Sequence, residues 1–160
     1  MEALGEITDV WMPDYKYHCS PPAAKYSHAP NYPETARKAI DMMHSLQPRC
    51  EFDSEGIMTR GLLIRHLLLP GGLEDSRAAI GYLYGRYGEN AWYSIMSQYT
   101  PPAEAPFPEL GRRVTSREYD ALVDYALGLG MENAFIQEGG AAEESFIPQF
   151  DCEGVFPERD

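Results

Sequence analysis

Runs and stripes of apolar residues alternate along this chain, and their spacing assigns most of its elements. Ile7, Val10, Trp11 and Met12 read as a first strand, cut off by Pro13. Residues 17–33 carry four prolines and little periodicity, which predicts an ordered surface loop. Pro33 suits a first helical turn, and Ala36, Ile40, Met43 and Leu46 give a helical stripe that runs to Pro48. A turn over 53–56 precedes the most apolar run, 62–69, interrupted only by Arg65 and His66. A continuous run of this kind fits a strand buried on both faces of a parallel sheet. A second helix is predicted over 74–87, with Ala78, Ala79, Tyr82 and Leu83 facing inward and Gly88 ending it. Residues 91–99 make a third strand. After a proline-rich crossover at 101–113, Thr115 and Glu118 form a capping box that opens a helix over 116–129, with Gly130 as its stop. A short strand over 133–138 comes last, followed by an acidic, loop-like tail at 139–160.

Strand and helix in strict alternation is the grammar of right-handed parallel crossovers, so the fold class is α/β. Ligands in such folds gather at the carboxyl ends of the strands. The polar residues fall there: Asp14 and Lys16 after the first strand, Arg65, His66 and Pro70-Gly71-Gly72 on and after the second, Ser97 and Gln98 on the third.

Composition narrows the partners. A chain of 160 residues with 44% hydrophobic content has enough for one core, and a net charge of -12 argues against a nucleic-acid partner, whose phosphates need clustered Lys and Arg. No run approaches the roughly 20 apolar residues that span a bilayer. The opening MEALGEITD is acidic where a signal peptide would be basic, so the expected location is the cytoplasm. Cys19, Cys50 and Cys152 show no metal-site spacing and are expected as reduced thiols.

The stretches WMPDYKY, RGLLIRHLLLPGG, SIMSQYTP, RRVTSREYDALVDYA, NAFIQE and IPQFDCEGV follow one another in an order that resembles radical S-adenosylmethionine proteins of the pyruvate formate-lyase activating enzyme type, in particular the PflX-like branch. The resemblance implies a partial (β/α) barrel whose 4Fe-4S cluster sits on a C-x3-C-x2-C motif. This sequence has no such motif, and Met1 falls about half way along the family's barrel. Residues 1–138 are therefore expected to form the C-terminal half of that barrel, with the cluster in the missing N-terminal half.

By the same resemblance, Met12 and Asp14 would help to hold a monovalent cation at the S-adenosylmethionine site, Lys16 would lie near the cosubstrate, and Arg65 would approach the methionine carboxylate. His66 and Gln98 are counted with them, and no catalytic or metal-binding residue is assigned. The complete protein would be an oxidoreductase acting on a glycyl radical enzyme, with this chain alone inactive. Its partner would be a separate N-terminal half or a second copy covering the first strand. Read from the residues alone, the alternatives stay open. Asp14 and Lys16 could be an exposed turn pair, Arg65 could pair with a carboxylate such as Glu51 or Asp53, and His66 could be a satisfied core histidine. A half-barrel could equally be a non-catalytic binding module or partner subunit.

Overall fold

The computed structural model describes residues 2–5 and 7–136. A short turn of helix, α1 (Glu2–Gly5), leads into β1 (Val10–Trp11), and two helices follow, α2 (Ser20–Ser27) and α3 (Tyr32–Leu46). A hairpin of β2 (Glu51–Phe52) and β3 (Met58–Leu67) comes next, then α4 (Leu73–Tyr87), β4 (Trp92–Met96), α5 (Ser116–Gly128) and β5 (Ala134–Ile136).

The chain is α/β, with parallel strands in the order β1-β3-β4-β5 and β2 added antiparallel to β3. Parallel neighbours visited in sequence order through right-handed crossovers place their helices on one face of the sheet. The packing agrees with this. Trp11, Leu62, Ile64, Tyr93 and Ile95 from the strands, with Leu68 just beyond β3, share one core with Ile40 of α3, Ile80 and Leu83 of α4, and Leu122 and Ala126 of α5.

The alternating positions on the other face belong to a different environment. Leu63, Arg65 and Leu67 of β3 and Trp92, Ser94 and Met96 of β4 are only partly buried, and none belongs to that core. The expectation of a strand buried on both faces is thus corrected: among the described residues, β3 buries one face against the helices and leaves its second face only partly buried. Among the described residues, no helix is long and apolar enough to cross a membrane.

One further expectation is corrected, and one element was not foreseen. Residues 17–33 contain a helix, α2, because Pro21 and Pro22 occupy its first turn, where the missing N–H costs nothing. His28 closes α2 in the left-handed region at φ 52°, and its N–H donates to Ala24 O. The short strand β2 went unread because two exposed residues carry no periodicity. The turn before β3 is as read: the Asp53 carboxylate accepts the N–H groups of Glu55 and Ile57. The capping box is also formed, with Glu118 N–H donating to Thr115 Oγ1 and Thr115 N–H donating to Glu118. The last strand is described only as far as Ile136, and the tail at 139–160 lies outside the described residues.

Candidate functional site

Beyond Trp11 the chain keeps company with β3 through one more bridge, in which Arg65 N–H donates to Pro13 O and Tyr15 N–H donates to Arg65 O. This register sets the Asp14 side chain beside that of Arg65 on the open face. Arg65 Nε and Nη2 each donate to Asp14 Oδ1 at 2.7 Å, joining residues 51 positions apart. Both donors share a single carboxylate oxygen, so Asp14 Oδ2 and Arg65 Nη1 stand outside the pair. The side chains keep 40% and 37% of their exposure, which leaves the pair within reach of a ligand.

Ser94 lies level with Arg65, and Phe135 level with Ser94, so one row crosses the open face as Asp14, Arg65, Ser94, Phe135. Met12 is exposed on the same face, level with Leu63 by the register of β1. Lys16 is exposed and lines a small cleft at the carboxyl end of the strands with Tyr17, Tyr26, Leu67, Leu69 and Asp75. The segment 14–16 is held from α3. Tyr32 accepts from Lys16 N–H at 2.8 Å and donates its hydroxyl to Asp14 O at 2.9 Å. Sequence reasoning passed over Tyr32, for a tyrosine at a helix start has no signature of its own.

His66 is not brought to this row. One residue along β3 from Arg65, it points into the helix side and is 1% exposed. Its Nδ1 lies 2.6 Å from Tyr15 O and its Nε2 lies 2.9 Å from Ser76 Oγ. A carbonyl only accepts, so Nδ1 carries the proton and the Ser76 hydroxyl donates to Nε2. Burial pushes this histidine below its ordinary pKa, and it is a neutral, satisfied core residue that ties β3 to α4. Gln98 is exposed in the loop beyond β4. The Arg65 partner is Asp14 rather than Glu51, which lies in β2, or Asp53, which lies in the β2–β3 turn.

The glycine turn after β3 serves the fold. Gly71 adopts φ +75°, and its N–H donates to Glu118 Oε1 at 2.8 Å. Glu118 also takes two bonds from the Arg112 guanidinium, which holds its carboxyl well below the usual range. Near β1, both oxygens of Asp75 accept backbone N–H groups, from His18 and Cys19, which fixes the entry to α2 on the start of α4. His18 stands against Arg37, whose guanidinium lies over the Tyr82 ring. Among the described residues, no group of three or more His, Cys, Asp or Glu side chains is arranged to hold a metal ion.

No family model matches this sequence, and no solved structure matches the fold. The chain is similar to an uncharacterized protein of Methanocaldococcus jannaschii, MJ0674, at 25% identity over 127 residues, or 79% of this chain. The matched stretch spans 33% of that protein's length.

Proposed function

We propose that this chain is the cosubstrate-positioning half of a radical S-adenosylmethionine barrel resembling the pyruvate formate-lyase activating enzymes. The observation that carries the reading is the Asp14–Arg65 pair. Two residues that the resemblance assigns to one site, 51 positions apart, meet on the open sheet face. The consecutive parallel order of the strands, with helices on one side, is how half of a (β/α) barrel would be built. The Methanocaldococcus protein is about three times as long as the stretch it shares with this chain, which leaves room for a cluster-bearing half.

The described residues do not fit a 4Fe-4S cluster, which needs several thiolates at one site. Cys19 is exposed beside α2, whereas Cys50 is half-buried at the hairpin. No electron-transfer step is therefore assigned to this chain. The residues do fit the amino-acid end of S-adenosylmethionine. Arg65 Nη1 offers a planar donor for a carboxylate, and Asp14 Oδ2 offers an acceptor for an ammonium group. In a complete protein a cluster held by residues outside this chain would supply the redox chemistry. Asp14, Lys16 and Arg65 would bind and orient the cosubstrate, Met12 would line it, and a glycyl radical enzyme in the cytoplasm would be the substrate.

Calorimetry with S-adenosylmethionine tests the assignment. Arg65→Ala is expected to weaken binding by about 1.5–3 kcal/mol, the range for a hydrogen bond to a charged group. Equal binding by both proteins would return Arg65 to a purely structural ion pair.

A further inference from the structure

Among the described residues β1 is the outermost strand of the sheet, so one of its edges has no strand beside it. A parallel strand turns the backbone groups of successive residues to opposite sides. Pro13 O and Tyr15 N–H bond to Arg65 on β3, which turns Asp14 O and Lys16 N–H to the unpaired side. One hydroxyl meets both of them. Tyr32 Oη accepts from Lys16 N–H at 2.8 Å and donates to Asp14 O at 2.9 Å, the two bonds that a neighbouring strand would otherwise supply.

We propose that Tyr32 is a positioning residue of the Asp14–Arg65 site: its hydroxyl replaces a neighbouring strand at the outer edge of residues 14–16 and thereby holds the Asp14 carboxylate on Arg65. Its part in cosubstrate binding rests on the function proposed above, whereas the positioning itself exists in the ligand-free chain.

The two peptide planes that flank Tyr15 show what the hydroxyl contributes. In the first, Tyr15 N–H donates to Arg65 O on the inner side, and Asp14 O accepts from Tyr32 on the outer side. In the second, Tyr15 O accepts from His66 Nδ1 inside, and Lys16 N–H donates to Tyr32 outside. Each plane is fixed at both edges. Without the outer bonds each keeps a single fastening about which it can tilt, and the half-exposed ion pair is too weak to hold the backbone in its place. Tyr32 is itself well anchored. It opens α3, its N–H donates to Ala29 O at 3.0 Å, and its ring meets Tyr17 edge-on at 5.6 Å. Burial raises the phenol above its ordinary 10, so the hydroxyl keeps its donor proton at neutral pH.

Hydrogen exchange of the full chain, read by NMR without ligand, compares the wild type with Tyr32→Phe. The variant keeps the ring, and water replaces the lost partner of two exposed backbone groups, so the chain is expected to fold. In it the Lys16 amide and the Arg65 Nε–H are expected to exchange roughly tenfold faster, the change carried by one hydrogen bond. The Leu83 and Leu122 amides should keep their wild-type rates, as should Arg65 Nε–H in Tyr84→Phe, which removes a tyrosine hydroxyl bond at Gly130. An unchanged Arg65 Nε–H in Tyr32→Phe would overturn the proposal. Equal acceleration of Leu83 and Leu122 would also overturn it, since that marks a residue that serves only overall stability. No S-adenosylmethionine is present, so a wild type that fails to bind it strikes the cosubstrate reading and leaves these rates to judge Tyr32.

Discussion

Arg65 was marked by its setting: a guanidinium inside an apolar run needs an anion. Its partner was not readable, because Asp14 is 51 positions away while Glu51 and Asp53 are close in sequence, and only the parallel register brings Asp14 alongside. The placement of His66 could have been read more sharply. Adjacent strand residues face opposite ways, so His66 and Arg65 cannot share a face. As a half-exposed pair, Asp14 and Arg65 contribute little to stability. Arg65→Ala should therefore lower the unfolding free energy from urea titration by less than ~1 kcal/mol, below its effect on ligand binding; a loss of several kcal/mol would make the pair structural.

Titration sets a second test at this scale. Burial lowers the pKa of His66 below the ordinary 6.5, and His18 and His44 move the same way for the same reason. These groups stay neutral in the folded chain while the unfolded chain takes up protons below 6.5, so the stability they support falls as pH drops through that value. Glu118 acts in a lower window. Arg112 holds its carboxylate charged in the fold, and this contribution is present above its ordinary 4.5 and lost as pH falls below it. Urea midpoints should be flat from pH 8 to 7, decline from about 6.5, and steepen below about 4.5. A constant midpoint between pH 7 and 5 would show that the histidines titrate alike in both states.

At the scale of elements, periodic segments with local chemistry were legible. The capping box of α5 formed as read, and removing it with Thr115→Ala should cost about 1 kcal/mol. Elements held by tertiary contact were not legible. Helix α2 owes its anchoring to Asp75, more than fifty positions away, and its first-turn prolines read equally well as breakers. Strand β2 exists because β3 is beside it. Where β1 and the β2–β3 hairpin meet, Gly61 adopts φ +134°, and an added Cβ would lie 2.8 Å from Cys50 Cα. Backbone cannot yield there as a side chain tip could. Gly61→Ala is expected to destabilise by roughly 1–3 kcal/mol through strain and overpacking, whereas Gly85→Ala, in open space within α4, should be neutral or stabilising. Equal urea midpoints for the two variants would contradict this view of the junction.

For the whole molecule, the alternation of strand and helix announced the α/β class, and consecutive strand order was its natural outcome. The open second face was hidden, because an unbroken apolar run such as 62–69 gives no sign of which face will be covered. That face carries the Asp14–Arg65 ion pair that we propose meets a cosubstrate. That proposal is the central claim, and an amide-resolved NMR titration with S-adenosylmethionine tests it most directly. The account predicts saturable shifts that cluster on Met12, Asp14, Lys16 and Arg65, with a common apparent affinity, while amides of the buried helix faces such as Leu83 and Leu122 stay still. No saturable shift at millimolar cosubstrate, or shifts confined to residues away from the open face, would contradict it.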